Sequence, residues 1–186
     1  MSGPASVGWW GMFITMMGVV TAFVSLVFGY FFYWTARPDF PPAPPIGPGV
    51  WWPGVGLALT FGAWLLTLAA RHWNRQDAPG RFYTAIAAAA LLAAAGGAAL
   101  IAGPWRTALD PESHVYAAIV WTLIIWSAAH LALGIIMHAY CAARRLAGRM
   151  TAEHDQDIVN VALYWHFATF TVTVTVAVVA GFPQML

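Results

Sequence analysis

Polar and charged positions along the chain fall in short clusters that separate five long apolar stretches, at about 10–33, 52–70, 82–103, 114–143 and 158–182. A helix crosses the hydrocarbon of a bilayer in about 20 residues at a rise of about 1.5 Å each. The pattern therefore predicts an all-α protein, a membrane bundle of five transmembrane helices forming one domain over 1–186. The first stretch has no basic n-region and no A-x-A site, and it exceeds the apolar core of a signal peptide, so it is read as a retained span. Residues 169–175, Thr-Phe-Thr-Val-Thr-Val-Thr, alternate with period two and would suit a strand in water. Inside so long an apolar segment a helix is expected instead, with the hydroxyls bonding back to carbonyls of the preceding turn. Thr169 then stacks on Thr173, and Thr171 on Thr175.

Composition closes off the other classes. The chain is 61% hydrophobic and 8% charged, with a mean hydropathy of +0.69. Too few polar groups remain to cover a water-soluble surface, and the hydrophobicity is far too high for disorder. A net charge of +1 gives no nucleic-acid footprint. The single cysteine, Cys141, excludes an internal disulfide, a CxxC pair and a c-type haem attachment.

Charge placement orients the spans. All eight basic residues are Arg; Arg71, Arg75, Arg81, Arg144, Arg145 and Arg149 fall in the second and fourth loops, against Arg37 and Arg106 on the other side. The positive-inside rule then puts the N-terminus in the cytoplasm and the C-terminus outside. Trp9, Trp10, Trp34, Trp51, Trp52, Trp73 and Trp105 sit at span ends, as an interfacial aromatic belt requires. The third span carries alanine at 87–90 and 93–95 followed by Gly96 and Gly97, so it is expected to be enclosed within the bundle. Proline density around 38–48 predicts a stiff, polyproline-like connector.

Candidate chemistry is sparse. No carboxylate or Arg lies at membrane depth, and the histidines there are His130, His138 and His166. Intramembrane ionisable groups mark proton paths, ion sites or cofactors. His130 and His138 are about 80° apart around their helix and cannot share a haem, whereas His130 and His166 could do so from two helices. Against this stands the plainer expectation that each makes an interhelical hydrogen bond. Cys141 lies near Arg144 and Arg145, which would lower a thiol pKa, yet no base accompanies it. No catalytic, cofactor-binding or metal-binding residue is assigned.

Three segments carry a family resemblance. Asn160-Val-Ala-Leu-Tyr-Trp-His-Phe167 closely resembles the A-x-Y-W-H-F-V-D-x-V-W signature of haem–copper oxidase (cytochrome c oxidase) subunit III. His114-Val-Tyr-Ala-Ala-Ile-Val and His130-Leu-Ala-Leu-Gly134 look like its helix built on G-x-H-G-x-H-V-x-x-G, and Trp10-Gly11-Met12 like the W-G-M that opens its third helix. Residues 28–33 and the proline-rich loop resemble the same region, so the likeness spans nearly the whole chain. Five spans correspond to the family's short bacterial form, whose orientation is the one the arginines predict.

The resemblance implies an accessory subunit without a cofactor of its own. It would stabilise catalytic subunit I, beside subunit II, in the bacterial inner membrane, bind phospholipid and help sustain proton uptake. Haem and copper would belong to the partners. Tyr164, Trp165, His166, Phe167, His130 and Gly134 would be helix-packing residues, with Trp10 and Gly11 near the catalytic subunit. The family's buried glutamate falls near Val19, the carboxylate after Y-W-H-F on Thr169, the next Trp on Val172 and one histidine on Ser127. Roles that rest on those carboxylates do not carry over. The departures leave open a subunit III-like protein of a quinol oxidase or nitric oxide reductase system, and the histidines leave open a small haem-binding membrane cytochrome.

Overall fold

A computed structural model describes residues 6–42 and 47–185. They form five helices, α1 (Val7–Ala36), α2 (Trp51–Arg75), α3 (Pro79–Arg106), α4 (Val115–Leu146) and α5 (Gln156–Val176). α5 continues through a π-helical turn, Ala177–Gly181, into a short 3-10 turn, Phe182–Gln184. All five are long and apolar enough to cross a membrane, and the chain is a multi-pass membrane protein. The Thr-rich segment is helical: Thr173 donates to the Thr169 carbonyl and Thr171 to that of Ala168. Of the proline-rich connector, positions 43–46 lie outside the described residues.

α2, α3, α4 and α5 close a four-helix ring in which each packs on the next and α5 returns to α2. The sequence dictates this through a seven-residue repeat. α2 buries Gly56, Thr60, Ala63, Thr67, Ala70 and Asn74, and α4 buries Ala117, Val120, Ile124, Ser127, Leu131, Gly134, His138 and Cys141. α3 does so with Phe82, Ile86, Ala89, Ala93, Gly96, Leu100 and Gly103, and α5 with Ile158, Val161, Trp165, Ala168, Val172 and Thr175. Alternating steps of three and four keep one seam facing the partners, the condition for left-handed knobs-into-holes packing.

Backbones approach most closely between α2 and α3. A Cβ on Gly56 would stand 3.0 Å from the Gly96 carbonyl, and one on Gly96 3.2 Å from that of Gly56. Small residues permit this contact, and without a hydrophobic driving force in lipid, such close packing is what holds helices together. The expectation that α3 is the enclosed span needs correction. Its outer face is open, with Leu91 72% exposed, and in an apolar 18-residue window of each span 61% of residues are buried in α5 against 44% in α3. Small side chains let α3 fit tightly on one side and are equally compatible with lipid on the other.

α1 stands outside the ring against α5 and α4. It buries only Met16, Phe23 and Tyr30, spaced seven residues apart. Its ends meet the ends of α5: Gly8 lies beside Asn160, and Phe31 and Trp34 each pack against Phe182 at 5.2 Å between ring centroids. The helix opens on a Ser6 cap, whose hydroxyl accepts from the Trp9 N–H at 3.1 Å.

Candidate functional site

The motif residues converge on the seam between α4 and α5. Gly134 forms a notch on α4 into which the Trp165 indole fits: a Cβ at 134 would lie 2.8 Å from Trp165 Cζ2. Trp165 is fully buried and stacks on the His138 ring, 5.1 Å between centroids and 9° from parallel. One turn away the Tyr164 hydroxyl donates to the His130 carbonyl at 2.8 Å, and the His130 ring meets Phe167 edge-on at 5.4 Å.

His138 reaches across the ring to α2, where its Nε2 is 2.9 Å from Thr67 Oγ1. That hydroxyl donates its one proton to the Ala63 carbonyl at 2.8 Å. It can only accept from the imidazole, so the neutral ring carries its proton on Nε2. A heptad further along both helices, Arg145 Nη1 donates to the Oδ1 of buried Asn74. Two polar contacts seven residues apart thus bridge the diagonal between α2 and α4. Higher in the bundle the Ser127 and Thr175 hydroxyls share a hydrogen bond at 2.9 Å.

His130 and His166 take a different arrangement from the interhelical bonds expected. Each donates Nδ1–H to a carbonyl one turn back in its own helix, Trp126 at 2.8 Å and Ala162 at 2.6 Å. They do not come together: the His130 ring lies against Tyr164 and Phe167, while His166 faces outward beside Trp64 of α2. Among the described residues no group of three or more His, Cys, Asp or Glu is placed to share a metal ion. Cys141 is a free thiol, fully buried. Thr169, where the family carries a carboxylate, is buried with its Oγ1 unpartnered among the described residues.

Trp10 and Gly11 lie on the open side of α1. Trp10 is 51% exposed, and no atom comes within 4 Å of a Cβ placed on Gly11. The same face presents Thr15, Gly18, Ala22 and Ser25, a ladder of small residues; Thr15 and Ser25 are satisfied by carbonyls of their own helix.

The membrane ends are laced by ion pairs. At the arginine-rich end, Arg75 binds Asp155 at 2.9 Å, Arg144 binds Asp157 at 2.9 Å and Arg145 binds Asp77 at 2.8 Å. Asn74 adds a bond from Nδ2 to the Thr151 carbonyl at 3.1 Å, tying α2 to the α4–α5 loop. At the opposite end Arg37 holds Asp39 through two bonds, and His114 Nε2 reaches the same carboxylate at 3.1 Å. The Arg37 guanidinium, and after it the His114 ring, hold the Asp39 carboxyl well below the usual carboxylate range. His114 also caps α4, its Nδ1 accepting from the Tyr116 N–H at 3.0 Å.

These features define a helical membrane protein in which a few polar pairs, His138–Thr67, Arg145–Asn74 and Ser127–Thr175, join helices. The chain matches no family model and no curated protein.

Proposed function

We propose that this chain is the accessory subunit III of a bacterial respiratory cytochrome c oxidase, stabilising the haem-bearing catalytic subunit in aerobic electron transport. The observation that carries the reading is the meeting of the two most specific motif segments. Tyr164 and Trp165 of Tyr-Trp-His-Phe close on His130 and Gly134 of the other segment, 34 residues apart for the Tyr164–His130 bond. The open face of α1 supports it further, since an apolar surface with a ladder of small residues suits a neighbouring membrane helix. In this reading the arginine-rich end is cytoplasmic, the chain lies in the inner membrane, subunits I and II are its neighbours, and haem and copper reside in them. Thr169, in place of a family carboxylate, favours a divergent branch, so a quinol oxidase or nitric oxide reductase system is the second reading.

The test is purification of the native complex through a tag on this chain in mild detergent. A haem-bearing partner should co-purify, and the complex should reduce oxygen with electrons from cytochrome c; oxidation of quinol, or consumption of nitric oxide, instead selects the second reading. The chain alone should show no Soret band. A chain that runs free of any haem protein, or one with a Soret band lost in His166→Ala, overturns the proposal.

A further inference from the structure

We propose that His114 is a proton-operated latch: neutral, it joins the first turn of α4 to the α1–α2 connector, and on taking a proton it releases the helix while keeping the connector. The ring stands at the N-terminus of α4 on extended backbone, φ −160° and ψ 146°, with its side chain 21% exposed. Its Nδ1 accepts from the Tyr116 N–H at 3.0 Å, satisfying one of the amides that a helix start leaves without an intrahelical partner. An imidazole that accepts on Nδ1 carries its proton on Nε2. That N–H donates to Asp39 Oδ2 at 3.1 Å, so one ring ties together positions 75 residues apart.

Protonation changes one of these bonds and spares the other. Both nitrogens of an imidazolium are donors, so Nδ1 then sets an N–H against the Tyr116 N–H and the cap is lost. The Nε2–H bond to Asp39 persists and becomes a bond between opposite charges. A Ser, Thr or Asn cap accepts through oxygen and does not titrate, whereas an imidazole ordinarily changes charge between about pH 5 and 8. Asp39 stays a carboxylate over that range, because two bonds from Arg37 hold its proton affinity down. On the loop that precedes His114, the Asp110 carboxylate is turned to the Glu112 N–H at 2.9 Å. Phe40 lies beside the ring, 6.4 Å between centroids, with the phenols of Tyr30, Tyr33 and Tyr116 around it. Tyr116, in the turn that the cap governs, packs on Tyr30 of α1, so the latch sits where α4 meets the first helix.

The latch is independent of the complex the chain serves. Amide exchange of the full chain in micelles reads it, followed by NMR from about pH 8 to about pH 5 and corrected for intrinsic exchange. Protection of the Tyr116 N–H should fall about fivefold, the worth of a side-chain cap. The Trp9 N–H, capped in the same way by the Ser6 hydroxyl at 3.1 Å, should hold constant. So should the Phe40 N–H of the connector, bonded to the Arg37 carbonyl at 3.3 Å. His114→Asn and His114→Ser, whose oxygens accept at every pH in the range, should abolish the fall at Tyr116. Constant Tyr116 protection in the unaltered chain, a fall that persists in both variants, or an equal fall at Trp9 or Phe40 would overturn the proposal.

Discussion

Gly134 of α4 and Trp165 of α5 are fitted so closely that the glycine hydrogen marks the limit of the indole, with a Cβ there falling 2.8 Å from Cζ2. The ring has little room to shift, because Trp165 is fully buried in the core. Alanine would favour the helix by about 0.8–1.0 kcal/mol, but overpacking a fixed core costs about 1–3 kcal/mol. Gly134→Ala should therefore destabilise the chain, whereas Gly18→Ala, with nothing within 4 Å, should not. Reversible unfolding in mixed micelles measures both. Equal stability of the two variants would contradict the notch.

Thr67→Val keeps the shape of the side chain and removes the acceptor of His138 Nε2–H. Hydrogen bonds of this kind in membranes are worth about 0.6–1.7 kcal/mol, and the same unfolding assay should register a loss of that size. Adding His138→Phe should restore part of it, since the orphaned donor is then gone. A double variant less stable than Thr67→Val alone would argue against the pairing.

The Asp39 cluster makes a pH prediction. Because Arg37 and His114 lower its folded pKa, Asp39 contributes stability that is fully present above the ordinary carboxylate value of about 3.9 and lost as pH falls toward the lowered value. Asp39→Asn should be less stable than the unaltered chain near neutrality, and the gap should shrink as the solution is acidified below the ordinary range. Thermal unfolding of both proteins across acidic pH reads this directly. A gap that stays constant would show that the cluster does not act through charge.

The open face of α1 predicts a separation of effects. Gly18→Leu and Gly11→Leu add bulk where the chain itself has nothing within 4 Å, so its own unfolding should be unchanged. In the proposed complex the same substitutions should reduce co-purification of the haem-bearing partner, as judged by haem recovered per tagged chain. Full recovery would place the partner on another face.

The five spans were legible because each apolar run is long enough to cross a bilayer. Their ends were read short for a physical reason: α2 continues to Arg75, well past position 70, because His72, Asn74 and Arg75 stay helical in the interface. Hydropathy treats such residues as the end of a span. The seven-residue repeat was also present in the sequence, as Thr60, Thr67 and Asn74 on α2, but averaging over a window hides three polar residues in an apolar helix. The reach of His138 to Thr67 was not legible, since neither helix's pattern specifies which other helix lies diagonally opposite. His166 shows the converse limit: a motif residue expected to pack faces outward, and its type alone gave no direction.

The seat of α1 has a consequence for biogenesis. Synthesis proceeds from the N-terminus, so the first helix enters the membrane well before the helix that receives it. Phe182, against which Tyr30, Phe31 and Trp34 gather, follows more than a hundred residues later. Until then α1 has only Phe40 of the following connector and Tyr116 of α4 to hold, and its seat is complete only when the last helix arrives. A truncation that removes Phe182 takes away the ring on which Phe31 and Trp34 close and leaves Tyr30 seated on Phe40 and Tyr116.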